Sequence, residues 1–466
     1  MTGPVESLST SQILKEFKRS KSGIAGLAIL LGLFLITIYA VTSVPLKSFT
    51  QWNNPNFWID RPQSAMPVWI NLLGVRVPEH LTLSSENADK SEIVENGVRI
   101  ETHSYNIDFN YNNYPSDFMI MYNARYGDIQ PAVQLDVVRP DGNEFQIYFA
   151  SLPPAQDPSN EFSATIFSTD RLITDSLAGY SSMFAYDIDP TRPVAMVFSD
   201  IERNQVLKGT YVIRVTFYMF DPNDTVIDSS VILGGRAYGI MGTDDLRRDL
   251  AIGLLWGAPV ALFIGLTVSV AAVFIGLIYG VVAGYKGNRV DEGLMRINDV
   301  FYSLPTLPLL VILSVTVGRS IFLITGFLVI FGWVGMAKIS RSLALQIKSL
   351  QYIEAAKLMG QSDTKIVFKH IIPQLLPLTF ASIAIAVPGA ILGEAALSFL
   401  GLGDPSIPTW GQLLHDAHSA GAMSRGLWWW IVPPGMMIAI TGLAFVLIGN
   451  ALDNIVNARA RKMEHR

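Results

Sequence analysis

The sequence predicts a polytopic α-helical membrane protein with six transmembrane helices and a large β-rich, sandwich-like extracytoplasmic domain inserted between the first and second. Three observations carry that expectation. Half of the 466 residues are hydrophobic and 16% are charged, and the mean hydropathy is positive, a balance that belongs in a bilayer. The apolar residues collect in six nearly charge-free windows, Gly23 to Val44, Ala258 to Ala283, Val300 to Val317, Ser320 to Ala337, Gln374 to Leu397 and Trp428 to Ile448. Between the first two windows lies a long stretch rich in β-branched and aromatic residues.

At about 1.5 Å per residue, each window can cross a hydrocarbon core of about 30 Å, the shorter ones narrowly. The first, 23–44, follows a basic segment, 1–22, holding Lys15, Lys18, Arg19 and Lys21. It is long for the apolar core of a signal peptide and lacks a clear small-x-small cleavage site, so an uncleaved anchor is expected. Cysteine is absent, which excludes disulfides, thiolate metal sites and cysteine nucleophiles. The six histidines form no metal-binding pair at helical spacing. Neither a metal site nor a catalytic residue is expected.

The stretch 45–240 reads as β. Val133-Gln134-Leu135-Asp136-Val137-Val138 and Glu144-Phe145-Gln146-Ile147-Tyr148-Phe149 flank the turn sequence Arg139-Pro140-Asp141-Gly142-Asn143, which predicts a hairpin. A second pair, Gly209 to Phe220 and Thr225 to Leu233, flanks Asp221-Pro222-Asn223-Asp224. With no helical periodicity over this length, a β-sandwich is expected. The more polar region from Leu81 to Glu101 fits either a loop or an extra strand pair. Trp52, Phe57, Trp58 and Trp69 fit an interfacial belt or a packing seam better than a sugar-stacking platform. As for function, the domain suits either docking of a substrate-binding protein, or shielding of the pathway mouth, or a folded spacer.

The region 241–452 is the helical core. Thr243 is the expected N-cap of its first helix, with Asp244 and Asp245 in the first turn favouring the positive end of the helix dipole. Leu250 to Gly257 would then lie along the interface until Pro259 opens the buried helix. Arg296 and Asp299, three residues apart, are expected to pair on one face. Glu394 stands near the outer end of an apolar span, where an ionised carboxylate is expensive. It is a candidate for the substrate path or for a bond to a neighbouring helix. Prolines and glycines inside the spans (Pro305, Pro308, Pro377, Pro388, Gly389, Gly393, Pro433, Pro434, Gly435) suit a bundle that changes shape.

Charge sets the orientation. Lysines and arginines precede window one, follow window two (Lys286, Arg289), window four (Lys338, Arg341, Lys348, Lys357, Lys365, Lys369) and window six (Arg459, Arg461, Lys462, Arg466). The positive-inside rule makes these regions cytoplasmic, including both termini and the tail 453–466. The loop from Ser398 to Leu427 holds Arg425 as its one basic residue and faces outward. From Val44 to Asp245 there are 13 lysines and arginines against 26 aspartates and glutamates, a balance of −13, so the remainder of this −5 chain carries +8. That split agrees with the topology.

Within the loop 341–373, Glu354, Ala355, Ala356, Lys357, Leu358 and Met359 are good helix material, and Gly360 supplies a left-handed stop. Ser362 and Asp363 are expected to cap a second helix carrying Lys365 and Lys369, and Pro373 to end it before the fifth span. A short cytoplasmic helix pair with a small-residue face fits a groove on another protein. The competing reading is a solvated loop whose lysines only enforce orientation.

Glu-Ala-Ala, three residues, Gly, and a proline thirteen positions later resembles the coupling loop of ABC-importer permeases. Other matches follow: Gly242-Thr243-Asp244-Asp245-Leu246 with Arg248-Asp249, Val290-Asp291-Glu292 with Met295-Arg296, Asp299-Val300, and Gly389-Ala390-Ile391-Leu392 with Glu394-Ala395-Ala396-Leu397-Ser398-Phe399-Leu400-Gly401-Leu402-Gly403. Pro408-Thr409-Trp410-Gly411 completes them. Together, over the anchor and roughly 240 to 455, they resemble the second (C-type) permease subunit of the dipeptide/oligopeptide/nickel branch. His370 and Ile372 depart from the general importer pattern, though His-Ile-x-Pro is usual in this branch. Arg247 replaces a usual glycine, which puts the local backbone in question. The domain 45–240 is far longer than the branch's short loop.

The resemblance implies a type I ABC importer fold and a multi-pass subunit of the cell membrane. It implies an ATPase-coupling loop at Glu354, Ala355, Ala356, Gly360, Asp363, Lys365, Lys369 and Pro373. Expected partners are a second permease, two ATPase subunits, an extracellular substrate-binding protein and the lipid bilayer, with no nucleic acid. No Gly-x4-Gly-Lys-Ser/Thr phosphate loop occurs, so this chain is not expected to be an enzyme, and ATP and Mg are expected on the partner ATPases. The expected cargo is a dipeptide or oligopeptide, with oligosaccharides or nickel as alternatives. A membrane-anchored extracellular binding or adhesion protein leaves the cytoplasmic helix pair unexplained. A secondary transporter would need paired broken-helix repeats and buried ion-coupling charges, which the spans lack.

Overall fold

A computed structural model describes residues 15–154, 161–184, 192–200 and 205–464, with the backbone alone for 182–184 and 456–464. Residues 1–14 of the basic leading segment and Arg466 lie outside the described residues, and Arg459, Arg461 and Lys462 are described by backbone only. The chain forms two compact units, Met1–Asn53 with Ile252–Arg466, and Asn54–Ala251.

Helix α1 (Lys21–Ser43) begins at Ser20, whose hydroxyl accepts from the Gly23 N–H at 3.2 Å. Pro45 then leads into the short α2 (Leu46–Thr50). Trp52, just beyond, is fully buried.

The unit Asn54–Ala251 is a β-sandwich. Its strands are β1 (Leu81–Ser84), β2 (Asp89–Glu95), β3 (Val98–Phe109), β4 (Asp117–Arg125), β5 (Ala132–Val138), β6 (Glu144–Ser151), β7 (Glu161–Phe167), β8 (Gly209–Met219) and β9 (Thr225–Gly234). They pair antiparallel in two sheets ordered β1-β9-β4-β7 and β2-β3-β8-β5-β6. Alternate residues point inward: Tyr105, Ile107 and Phe109 on β3, Phe118, Ile120 and Tyr122 on β4, Val133, Leu135 and Val137 on β5, and Tyr211, Ile213, Val215 and Phe217 on β8. Each such side chain contributes about 1.5–3 kcal/mol by leaving water. The polar region after Leu81 resolves as β1 and the β2–β3 hairpin, whose turn places Asn96 and Gly97 at φ of 51° and 82°.

Two expectations fail in this unit. Helices α3 (Arg171–Phe184) and α4 (Pro193–Phe198) cover the core through Ile173, Leu177, Met196, Val197 and Phe198, so the segment is not purely β. Buried Arg139 holds α4, donating to the carbonyls of Met196 at 3.0 Å and Ser199 at 2.5 Å. β8 and β9 are not a hairpin pair: Asp221–Asp224 carries the chain from one sheet to the other. Asp224 is fully buried and accepts the N–H groups of Asp221 and Gly127, which fixes that crossing. Of the aromatic quartet, Trp58 is fully buried under the Arg61 guanidinium, 4.5 Å from its ring centroid, so it belongs to a packing seam.

The helical unit resumes with α5 (Leu250–Lys286), α6 (Asn288–Ser303), α7 (Thr306–Val317), α8 (Ile321–Gly332), α9 (Val334–Lys348), α10 (Gln351–Leu358), α11 (Asp363–Ile366), α12 (Ile372–Phe399), α13 (Trp410–Ser419) and α14 (Trp428–Glu464). Among the described residues five helical runs are long and apolar enough to cross a bilayer: Lys21–Ser43, Leu250–Lys286, Ile321–Lys348, Asp363–Phe399 and Trp428–Ile455. The window Val300 to Val317 is not one helix: α6 and α7 meet at 76° across Leu304 and Pro305. Proline restricts the residue before it to extended backbone, and Leu304 has ψ 132.

α5 also departs from expectation. It runs unbroken through Pro259, which leaves the carbonyl of Leu255 without its helical donor. The neighbouring Leu254 carbonyl accepts from Trp410 Nε1 at 3.0 Å. Thr243 does not cap α5; it is buried, accepting from the Ala65 N–H and donating to the Pro62 carbonyl. The cap is Asp249, whose carboxylate accepts from the Ala251 N–H at 2.9 Å. Arg296 and Asp299 take different partners, Glu292 at 4.0 Å and Lys338 at 3.0 Å.

Along α5, Gly276, Gly280 and Gly284 recur every four residues and so share one helix face. A Cβ at these positions would stand 2.5, 2.2 and 2.7 Å from the backbone oxygens of Trp333, Ala337 and Arg341 on the α8–α9 run. Between lipid-embedded helices close packing replaces the hydrophobic drive, and only glycine permits this approach.

Candidate coupling site

The seam ends at the expected coupling segment. Below it, Arg341 on α9 holds Asp291 on α6 with two hydrogen bonds of 2.5 and 2.6 Å. Tyr285 Oη and Lys286 Nζ, at the end of α5, donate to the two Asp363 oxygens at 2.9 and 2.7 Å. Charge-assisted pairs of this kind fix direction as well as distance. Asp363 is therefore a tie between α5 and α11. It was expected to cap the second helix, but no side-chain cap forms at Ser362.

α10 presents two faces. Ile353 and Ala356 are buried, Ile353 in a cluster with Val273, Leu277, Val281 and Tyr285 of α5 and with Ile366, Val367 and Ile371. Glu354, Ala355 and Lys357 are exposed. Glu354 lines a small recess with Tyr285, Lys286, Lys348, Lys357 and Asp363. The helix closes with a Schellman motif: Gly360 N–H donates to the Lys357 carbonyl at 3.0 Å, and Gln361 N–H to the Ala356 carbonyl at 3.2 Å. Gly360 has φ 79°, the left-handed conformation that the motif requires. The turn pushes Leu358 and Met359 outward, 89% and 74% exposed.

The second helix is not a separate element. α11 passes through one π-helical turn, Val367–Ile371, directly into α12, and Pro373 lies in the first turn of α12, where its missing N–H costs nothing. Pro373 thus lies within the continuous run Asp363–Phe399 and does not end the excursion. Lys365, Lys369 and Pro373 line an open groove with Ser362, Thr364 and Phe368. His370 Nε2 lies 2.9 Å from Gln361 Oε1, and Gln374 donates to the His370 carbonyl and to Tyr352 Oη, bracing the turn against α12. The combined surface offers protruding Leu358, Met359 and Phe368 among lysines. It can enter a cleft on another protein that has apolar walls and an acidic rim.

Glu394 lies elsewhere. It is 4% exposed and accepts from Ser398 Oγ at 2.6 Å, one turn on in its own helix, with Thr409 as a further hydrogen-bonding neighbour. It faces packed interior. The loop after it holds an unforeseen helix, α13, capped by Thr409 accepting from the Gln412 N–H; Gly411 lets it approach Ala395.

Sequence reasoning missed the Gly276-Gly280-Gly284 seam, although its four-residue repeat was visible. It also missed Lys286 and Tyr285 as partners of Asp363, for which a separation of 77 residues leaves no sequence signal.

A core of several helices long and apolar enough to cross a bilayer suits a transport permease. Residues 276–462 match the family profile of the binding-protein-dependent transport system inner membrane component. The dipeptide transport system permease protein DppC of Bacillus subtilis is 37% identical over 222 residues, covering 47% of this chain and 69% of that protein. The oligopeptide transport system permease proteins OppC of Bacillus subtilis and Haemophilus influenzae are 35% and 34% identical, and each is covered over 72% of its length. The chain belongs to this family, as a C-type permease of the dipeptide/oligopeptide branch of ABC importers. The profile match leaves the β-sandwich unit outside it.

Proposed function

We propose that this chain imports peptides as one of two permease subunits of an ATP-driven complex, and that residues Gln351 to Pro373 couple it to the ATPases. The observation that carries the reading is the exposed Leu358–Met359 tip, held by the Schellman turn on one side and by the Asp363 tie to α5 on the other. A tip anchored to α5 and continuous with α12 moves two spans when its socket moves. In this reading the tip is cytoplasmic, as the basic flanks of the spans require. The termini share that side, and α6–α7 counts as a sixth, broken span. The bundle is a multi-pass protein of the cell membrane.

Glu354, Ala355, Ala356, Gly360, Asp363, Lys365, Lys369 and Pro373 build the site in different ways. Ala356 and Gly360 shape the fold, Asp363 positions it, and Glu354, Lys365 and Lys369 present charge to the partner. ATP and Mg sit on the two partner ATPases, since no phosphate loop stands on this chain. An extracellular binding protein delivers the peptide. The relatives named for dipeptide and oligopeptide transport support that cargo.

The test is uptake of labelled peptide into proteoliposomes containing the whole complex. Leu358→Asp with Met359→Asp, both exposed and so compatible with folding, is expected to release the ATPases and abolish uptake. Retained ATPases with undiminished uptake would refute the assignment.

A further inference from the structure

Within the β-sandwich unit one surface stands apart from the sheets. The 3-10 helix Val68–Leu73 ends on Gly74 at φ 92°, and this turn projects Leu72 and Leu73, 87% and 72% exposed. Trp69, Val75 and Ile240 add exposed apolar surface beside them, with Trp69 Nε1 donating to the Ile240 carbonyl at 2.9 Å. Arg76 follows, also exposed. Asn71 braces the turn through the Val77 backbone and Glu79.

The location of this tip follows from its hydrogen bonds. Val68 N–H donates to the Gly239 carbonyl and Met66 N–H to the Arg236 carbonyl, so the tip is stitched to the turn segment 236–240 that follows β9 and holds Ile240. Two residues after Ile240, the Gly242 carbonyl accepts from the N–H of Leu250, the first residue of α5. The apolar tip therefore stands within a few residues of the point where the chain enters an apolar helix. A soluble face would hide leucines there; a membrane surface takes them up, with tryptophan at the headgroup level and arginine toward the phosphates.

We propose that Trp69–Val75 with Ile240 is an interfacial anchor that seats in the lipid headgroup and upper acyl region. It would hold the sandwich unit to the bilayer by a contact separate from the spans. The proposal rests on reading α5 as a membrane span.

The chain has no cysteine, so single thiols report cleanly. Leu72→Cys, and independently Leu73→Cys, carry an environment-sensitive fluorophore on the full chain in phosphatidylcholine–phosphatidylglycerol vesicles doped with spin-labelled lipids. The expected result is a blue-shifted emission and loss of fluorescence to headgroup and shallow acyl spin labels, with Ile93→Cys on the exposed β2–β3 hairpin unaffected. Phe263→Cys in α5 reports the span itself through deep acyl quenching. Quenching at 263 with none at 72 or 73 overturns the anchor alone; no quenching at any of them overturns the span reading and the anchor with it. Shielding of 72 from aqueous iodide only when partner proteins are added, without lipid quenching, means a protein occupant and also overturns it.

Discussion

Gly360 carries more of the coupling geometry than its size implies. A β-branched side chain at φ 79° costs of order 1–3 kcal/mol, and the Schellman turn that aims Leu358 would open. Gly360→Val is expected to weaken ATPase capture in a co-purification assay, whereas Gly360→Asn, which tolerates the left-handed region, keeps most of it. Arg247 shows the opposite solution. The resemblance marked it as an arginine in a glycine position; the structure keeps the glycine-type backbone, φ 65°, and Arg247 donates to Asp117 at 2.6 Å and to the Arg61 carbonyl at 2.5 Å. Those bonds offset the strain, and no local sequence signal could have named Asp117. In the sandwich core the His103 hydrogen bond holds the Glu101 carboxyl below its usual range; burial opposes this, and the His103, Arg99 and Lys90 charges add to it. Because the folded value is depressed, this stability is present above the ordinary glutamate pKa of about 4.3 and is lost as pH falls through the folded value. Thermal melts of the full chain in detergent, from about pH 6 to about pH 3, should show a shallower loss for Glu101→Gln than for wild type.

Helices and strands were legible where their period was long and uniform. The six apolar windows each contain helix, and Val133–Phe149 forms the expected hairpin, with a register shift between Leu135 and Asp136. Prolines misled in both directions: Pro259 and Pro373 sit inside continuous helical runs, while Pro305 breaks a window read as one span. What decides is how the surrounding helices pack around each proline, and that is tertiary information. The ten residues of α13, beside glycines and a proline, give little periodic signal, and the sequence alone reads as loop there. The α5 glycine seam is the element most exposed to test. Gly280→Leu would place side-chain atoms against the Ala337 carbonyl and is expected to lower the melting temperature in detergent, overpacking costing about 1–3 kcal/mol. Gly326→Ala on α8, with open space around it, should leave that temperature unchanged.

For the whole molecule, the family resemblance was readable because its motifs lie in loops and helix ends that define sites, and the profile match at 276–462 falls on the same region. The sandwich was readable as β, but its order, with β8 and β9 in different sheets, depends on long-range pairing that no local pattern encodes. Its stem offers a clean excision point: the Arg236 N–H donates to the Pro78 carbonyl at 2.8 Å. Replacing 79–235 by a short glycine linker is expected to leave ATPase co-purification intact, since each coupling residue lies in the other unit; loss of the ATPases would show that coupling depends on the sandwich. The most direct measurement of the central claim uses the cysteine-free background. A photo-cross-linker on Leu358→Cys in the assembled complex should capture an ATPase subunit, and the same reagent on Ile93→Cys should not. No ATPase adduct at 358, or an equal one at 93, would contradict the account.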